Sequence, residues 1–278
     1  MDRSETPYRR VGSGEPVLLI HPFALSHHVW HATADLLSAD HDVLAASMPG
    51  HWCGERIRAR EVSVAAYADG LERVLDGVGW ETCHVVGNSL GGWLAFELER
   101  RGRARSVTAI APAGGWANPS WDELRLGAIF LGLAPLIGLG RVLGDPATRI
   151  PLVRRQSLRL LSRDVDAVSE RDFRTVVRAA THCSAYLPTE WMGLRDGGIR
   201  GLGAVQAPTR LVLCEHDVLL PVDRYARRFL DELPSWARRT VLPGVGHVPM
   251  LEDPQLVADT IREHVGEVVA GKSRGHVR

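Results

Sequence analysis

Short apolar runs alternate along most of the chain with longer segments of helical periodicity, and this alternation constrains the fold more than any other feature. The apolar runs predict strands at residues 17–20, 42–46, 83–86, 107–110, 210–214 and 240–242. Those at 17–20 and 107–110 are predicted to be buried. Helices are predicted at residues 29–37, 64–78, 93–101 and 254–268. Strands that alternate with helices favour a mainly parallel central sheet with helices on both faces, so we predict an α/β fold.

The alternation stops between residues 114 and 200, where the chain contains three tryptophans and an arginine-rich amphipathic part at 152–178. We predict that this segment is one helical insertion, or cap. Residues 1–113 and 201–278 would then form the core, and the length of 278 residues is sufficient for it to bury its own apolar side chains.

An uncharged run of 15 residues lies within the predicted cap, at residues 126–140. A helix that spans a bilayer needs about 20 apolar residues, so we expect no stable membrane insertion. We expect the run to be buried or to cover an apolar pocket at the open edge of the sheet, where pockets form in α/β folds. Its glycines and Pro135 would let it act as a lid, and the substrate would have a hydrophobic or aromatic portion.

The charge balance indicates which partners to expect. There are 33 basic and 33 acidic residues, and the binding of nucleic acid requires a basic surface, so no nucleic-acid partner is expected. The four cysteines are widely spaced without a C-x-x-C pair, which favours reduced thiols in the cytoplasm. The first ten residues are polar and charged and show no signal peptide, so a cytoplasmic location is expected.

Residues 87–91 read Gly-Asn-Ser-Leu-Gly and fit the pattern G-x-S-x-G, with a predicted strand before them and a predicted helix after them. A sharp turn from strand to helix pushes the serine hydroxyl outward, and the small flanking residues let the backbones approach closely. The N-terminus of the helix also directs N–H groups toward developing negative charge. Ser89 is therefore the candidate nucleophile.

A serine hydroxyl requires a base, and the base requires a carboxylate that orients it. His247 lies in a loop between a late strand and the last helix, flanked by glycine and proline, and is the candidate base. Asp217 follows the strand at 210–214 and is the candidate acid, while Glu215 and Asp223 are its rivals. The serine comes first in the chain, then the aspartate and then the histidine. A triad whose serine lies in a G-x-S-x-G turn has this order.

Together these pieces resemble the α/β-hydrolase superfamily over most of the chain, with similarity to its capped esterases and carbon–carbon bond hydrolases. The resemblance rests on five segments in the family's order: residues 21–23, 48–51, 87–92, 214–217 and 246–254. It implies an α/β-hydrolase fold with a helical cap at 114–200 and a catalytic triad of Ser89, Asp217 and His247. It also places an oxyanion hole at the backbone N–H groups of Phe23 and Leu90.

One residue departs from the family pattern. Many members have glycine after the first histidine, where this chain has Pro22, which has no N–H to donate. Phe23 still has one, and its ring would also wall the pocket; Ala24 is a lesser donor candidate. From the cap, His182 and Trp191 are the candidate substrate contacts.

Three histidines near residue 30 are a candidate metal site. His27 and His31 would share a helix face with His28 beside them, but no suitable carboxylate or cysteine cluster accompanies them. We therefore expect a solvated or pocket-rim surface there, and no metal or other cofactor.

The function that these predictions favour is a cofactor-independent serine hydrolase acting on a small, partly apolar carbonyl compound. The bond cleaved would be an ester, thioester, lactone, amide or carbon–carbon bond. An acyltransferase or perhydrolase would use the same triad, and a non-catalytic small-molecule binder would also retain it. The oligomeric state stays open, with a homodimer as one option.

Overall fold

The computed structural model describes residues 6–116 and 120–275, apart from the side chains of residues 145, 147 and 272–275. Its centre is a seven-stranded sheet in the order β1-β3-β2-β4-β5-β6-β7. The strands are β1 (Tyr8–Gly12), β2 (Glu15–Ile20), β3 (His41–Ala46), β4 (Cys83–Asn88), β5 (Ala104–Ile110), β6 (Thr209–Cys214) and β7 (Arg238–Leu242). Only β1 runs antiparallel to its neighbour, β3.

Helices cover both faces of this sheet and create two hydrophobic cores. The helices of the core are α1 (His31–Leu37), α2 (Val64–Gly77), α3 (Leu90–Arg100), α8 (Val222–Tyr225), α9 (Arg227–Glu232) and α10 (Pro254–Gly275). Alternate residues of β2 divide between the cores: Leu18 packs with α2 and α3, whereas Leu19 packs with α1 and α10. Strands buried on both faces read as continuous apolar runs, so the predicted α/β class is confirmed.

Strand β1 was not predicted from the sequence. Its sequence, YRRVG, carries two arginines and has no buried residue, so it lacks an apolar signal. It forms because the edge of β3 offers unpaired backbone groups, and all five residues of β1 pair with residues 42–46 there. Arg10 then bonds the carboxylate of Asp42 through both oxygens, at 2.6 and 2.9 Å. Strand β1 therefore forms because it pairs with β3, and its own sequence has no alternation of apolar and polar residues that would predict a strand.

Residues 114–200 contain four α-helices and, within the described part of the segment, no strand. These are α4 (Trp121–Leu143), α5 (Pro151–Leu158), α6 (Glu170–His182) and α7 (Tyr186–Asp196). Helix α4 packs against α6 and α7. Hydrogen bonds tie this layer to the core: Ala185 donates to the carbonyl oxygen of Gly50, and the Tyr225 hydroxyl donates to that of Asp122.

The uncharged run at 126–140 lies inside α4, and most of it is not buried; of the two alternatives expected from the sequence, the covering of a pocket is the one that α4 fits. Only Glu123 and Gly127 of the 23 residues of α4 are buried. The reason is the single-layer packing of the cap, because α4 has α6 and α7 on one side and no described residue covers its other side. By length and composition α4 is apolar enough to cross a bilayer, although its inner side is occupied by protein.

Candidate active site

Ser89 lies at the turn between β4 and α3, in a backbone conformation that side chains rarely adopt. Its φ is 56° and its ψ is −117°, so this non-glycine residue lies at positive φ. Two close approaches explain the flanking glycines. A Cβ on Gly91 would lie 2.3 Å from the carbonyl oxygen of Ile20, and a Cβ on Gly87 would lie 2.0 Å from that of Gly91. A side chain at position 87 or 91 would therefore collide with the backbone, so the turn requires glycine at both positions.

This strain has a measurable consequence. Ser89→Gly should be more stable than Ser89→Ala by about 1 kcal/mol, because glycine adopts positive φ without a steric penalty. Both variants lack the hydroxyl, so the comparison isolates the backbone, and thermal unfolding monitored by circular dichroism would measure it. Equal stability, or a less stable glycine variant, would show that the turn is unstrained.

Asp217 and His247 form a buried pair. His247 Nδ1 lies 2.6 Å from Asp217 Oδ2, and each side chain is 1% exposed. The other carboxylate oxygen of Asp217 accepts the N–H groups of Leu219 and Leu220, at 3.0 and 2.7 Å. Both oxygens of the Asp217 carboxylate are therefore hydrogen-bonded. His247 Nε2, the other ring nitrogen of the histidine, is buried without a hydrogen-bond partner among the described residues. That nitrogen is available to accept a proton.

Two contacts position the loop that carries His247. The side-chain amide of Asn88, next to Ser89, donates to the carbonyl oxygens of His247 and Ile110, both at 3.0 Å. On the other side, Val248 donates to the carbonyl oxygen of Leu161 at 2.7 Å. Hydrogen bonds from the end of β4 and from the cap therefore both hold the loop of His247 in place. This positioning role of Asn88 was not predicted from the sequence.

The rival carboxylates lie elsewhere. Glu215 is exposed, and its Oε2 accepts the N–H of Gly244 at 2.8 Å. Asp223 is exposed in the first turn of α8. Of the three acidic residues weighed from the sequence, the structure brings Asp217 to His247.

Phe23 and Leu90, whose backbone N–H groups are the predicted oxyanion donors, line the same cavity as Ser89. Leu90 begins α3, and N–H groups in the first turn of a helix have no acceptor inside it. Phe23 lies in a turn closed by the N–H of Leu25 on the carbonyl oxygen of Pro22, at 3.2 Å. His21 braces this turn, with Nδ1 2.8 Å from the Pro22 carbonyl oxygen and Nε2 accepting the N–H of Met48 at 3.0 Å. Burial lowers the pKa of His21 well below its usual value, so the ring is neutral.

A cavity opens above Ser89, between the core and the cap. Its volume is about 580 Å³ including its open mouth, and its surface is mostly apolar. The lining residues are Phe23, Ser89, Leu90, Trp93, Ala113, Trp116, Leu219 and Leu220 from the core side, and Glu123, Leu126, Gly127, Phe130, Thr189, Glu190, Met192, Gly193 and Leu194 from α4 and α7. The two cap helices thus form one wall of the space above the serine.

Comparisons with known proteins identify the family of this chain. The sequence model of the alpha/beta hydrolase family matches residues 17–260. The chain belongs to this family. Epoxide hydrolase EphH from Mycobacterium tuberculosis is 46% identical over 206 residues, which cover 74% of this chain and 96% of that protein. A pimeloyl-(acyl-carrier protein) methyl ester esterase from Aeromonas salmonicida is 26% identical, covering 92% of this chain and 98% of its own.

Solved structures agree on the fold. An esterase from Thermogutta terrifontis superposes with a TM-score of 0.72 at 20% identity and covers 94% of this chain and 93% of its own. A meta-cleavage product hydrolase from Pseudomonas fluorescens superposes with a TM-score of 0.74 at 21% identity, with the same coverage. This member of the alpha/beta hydrolase family is a hydrolase, as the sequence predicted.

Two of the residues predicted to contact the substrate do not line this cavity. Trp191 is 66% exposed, and neither it nor His182 is among the residues that line the cavity. Trp191 lies on α7 between Glu190 and Met192, which line the cavity, but its side chain leaves the helix toward solvent. The Nδ1 of His182 lies 2.8 Å from the carbonyl oxygen of Arg178 in its own helix. Phe23, the third predicted contact, does line the cavity.

The sequence missed two tryptophans and two carboxyl groups in the cavity wall. The tryptophans are Trp93 and Trp116, which both line the cavity. Glu123 and Glu190 carry the carboxyl groups, and no local pattern in the sequence marked them. Burial raises the pKa of both, that of Glu190 to about 8.

The raised pKa of Glu190 predicts how stability depends on pH. A carboxyl group whose pKa is higher in the folded state than its ordinary value of 4.5 contributes stability below that value and loses it as the pH rises through about 8. Glu190→Gln should therefore melt above the wild type by a margin that grows from pH 4.5 to pH 8. The exposed Glu81→Gln is the control, and a margin for Glu190→Gln that stays constant with pH would contradict the prediction.

The three histidines near residue 30 do come together. Ring nitrogens of His27, His28 and His31 lie within 4.8 Å of one another. Burial, followed by the neighbouring charges, lowers the pKa of His27 to about 3 and that of His31 to about 4. The positive charge of Arg9 contributes to both shifts, and it equally disfavours a metal cation. The absence of a metal stays a prediction.

Proposed function

We propose that this protein is a serine hydrolase that cleaves a carbonyl compound through an acyl-enzyme. Ser89 Oγ attacks the carbonyl carbon while His247 Nε2 takes the hydroxyl proton. His247 then gives that proton to the leaving group as the bond to it breaks. A water molecule, deprotonated by the same nitrogen, attacks the carbonyl carbon of the acyl-enzyme. His247 then returns the proton to Ser89 Oγ as its bond to the acyl group breaks, and the acid is released.

The remaining residues of the site support both steps. Asp217 keeps the proton of His247 on Nδ1 and stabilises the imidazolium that forms. The N–H groups of Leu90 and Phe23 stabilise the oxyanion, which carries its charge in each tetrahedral intermediate. No step in this sequence requires a metal or an organic cofactor.

One observation carries the proposal: the hydroxyl-bearing residue lies in a strained strand-to-helix turn that opens into an apolar cavity, and its neighbour Asn88 is hydrogen-bonded to the backbone of the histidine in a buried Asp–His pair. Strain at a non-glycine residue is costly and persists where the surroundings impose it, which is common at functional sites. An apolar cavity with few polar groups suits an acyl group or aromatic ring of modest size.

Epoxide opening is the second candidate, because the relative at 46% identity is named an epoxide hydrolase. Attack by Ser89 on an epoxide carbon would leave an ether, which has no carbonyl for water to attack, so the enzyme would not turn over. The workable route has His247 deprotonate a water molecule that attacks the epoxide carbon directly while the ring C–O bond breaks. His247 then returns that proton to the ring oxygen, which gives the diol and the free base. Ser89 is not a nucleophile in that route.

A single pair of assays separates the two candidates. Wild-type protein and Ser89→Ala are each incubated with p-nitrophenyl butyrate and with styrene oxide, and a fluorophosphonate probe labels the nucleophile. The proposal expects ester turnover and labelling in the wild type alone. Epoxide turnover that survives in Ser89→Ala, without ester turnover or labelling in the wild type, would replace the first candidate with the second. Product analysis in the presence of methanol or peroxide distinguishes hydrolysis from acyl transfer.

Phe130 provides a test of how the cap selects the substrate. Each methylene that enters the cavity contributes about 0.8 kcal/mol, so kcat/KM should rise about fourfold per carbon from acetyl to butanoyl esters. Phe130→Ala removes a ring from the cavity wall and should shift the preferred acyl chain to longer members of the series. Leu131→Ala is the matched control, because Leu131 is 54% exposed and does not line the cavity. A flat series, or equal shifts in both variants, would contradict selection by this wall.

A further inference from the structure

Helix α4 exposes a continuous apolar face along its whole length. Its outward residues recur every three or four positions, which places them on one side of the helix. This outer face of α4 consists of Trp121, Leu124, Ala128, Leu131, Pro135, Leu139 and Val142. The two end residues are each 84% exposed, and none of the seven carries a charge. The stripe is about 33 Å long at 1.5 Å per residue, far longer than an isolated exposed apolar side chain would explain.

The chain around this face is basic, although the whole protein has a net charge of zero. Residues 121–163 contain seven arginines and three acidic residues, Asp122, Glu123 and Asp145, for a net charge of +4. Arg149, Arg155 and Arg159 are exposed, and the exposed apolar residues Ile150 and Leu152 lie between the first two of them in the chain. A basic surface interleaved with exposed apolar side chains is the combination that binds anionic lipid.

The outer face of α4 lies close to the cavity, because other residues of the same helix line the cavity. Gly127 and Phe130 line the cavity above Ser89, and each is next in the chain to an outward residue of the same helix. Leu194 of α7 both lines the cavity and is 37% exposed, so the apolar surface extends to the cavity wall. A lipid surface in contact with the outer face would therefore lie beside the site.

We infer that the outer face of α4 docks on the surface of an anionic lipid bilayer, with the helix lying in the plane of the interface and the arginines on the lipid phosphates. The helix does not span the bilayer, because the Tyr186 hydroxyl and the Arg141 guanidinium bond α4 to its neighbours. Two copies of this chain meeting through the face would oppose like charge with like charge. The basic surroundings therefore favour lipid over a second copy.

Vesicle sedimentation with the full-length chain tests the inference. Binding to vesicles of equal parts phosphatidylcholine and phosphatidylglycerol should be at least tenfold tighter than binding to phosphatidylcholine alone, and 0.5 M salt should weaken it. Val142→Glu should lose at least tenfold in this binding. Val241→Glu is the matched control, since it adds the same charge at a valine that is 57% exposed on β7, far from the cap in the chain. Melting temperatures check that both variants fold.

A second pair of variants tests the arginines. Replacing Arg155 and Arg159 together with glutamine should reduce the preference for phosphatidylglycerol, whereas replacing the exposed Arg58 and Arg60 of the core should not. Ser89→Ala should bind vesicles as the wild type does, so the outcome is independent of the proposed chemistry. Equal losses for Val142→Glu and Val241→Glu would overturn the inference. So would a wild-type dimer that Val142→Glu dissociates, with no binding to vesicles, because the face would then belong to a second copy.

Discussion

Ser89→Ala should lower kcat for ester hydrolysis by about 10⁶-fold and abolish labelling by a fluorophosphonate. The reason is that no covalent acyl-enzyme forms without the hydroxyl, while alanine keeps the Cβ and hence the shape of the turn. A residual rate of about 10³-fold over water is expected from the oxyanion donors and from binding alone. Steady-state kinetics and intact-mass spectrometry of the labelled protein would measure both effects.

The matched control for this substitution is Ser184→Ala. Ser184 is an exposed serine of the cap whose hydroxyl donates to the carbonyl oxygen of Gly50 at 3.1 Å, and it does not line the cavity. Its loss should leave labelling unchanged. Labelling of Ser89→Ala at the wild-type rate would refute the assignment of the nucleophile.

Asp217→Asn should lower kcat by about 10⁴-fold without unfolding the protein. The amide oxygen of asparagine would still accept the N–H groups of Leu219 and Leu220, which turns its NH₂ group toward His247 Nδ1. His247 Nδ1 must then accept a hydrogen bond, so the ring proton moves to Nε2. A protonated Nε2 cannot take the proton of Ser89, and the first chemical step fails.

Glu215→Gln and Asp223→Asn are the controls for the acid, because both side chains are exposed and neither contacts the histidine. Each should retain kcat within a few-fold of the wild type. If Asp217→Asn were nearly as active as the wild type while one of these two were inactive, a different carboxylate would orient the base.

The parts of the fold and site that the sequence predicted are those determined by local pattern. Both flanking glycines of Ser89 are required because backbone atoms lie within 2.3 Å of where a Cβ would be, so the pattern at 87–91 marks a geometry that few other residues permit. The strands buried on both faces were predicted because they are continuously apolar, while β1 was not, because it forms only on the edge that β3 provides.

By itself, then, the sequence determined the α/β class, the strand-to-helix turn at Ser89 and the segments that carry its candidate partners. Only the tertiary structure decided which carboxylate reaches His247, since Asp217 and Glu215 are two residues apart and differ in direction. The tertiary structure also decided which residues line the cavity: Glu190 faces inward, whereas its neighbour Trp191 faces solvent. It left the apolar outer face of α4 uncovered by any described residue. The physical reason is that hydrophobic pattern determines which elements form, whereas the direction of a side chain at a cavity or surface depends on how separate elements pack.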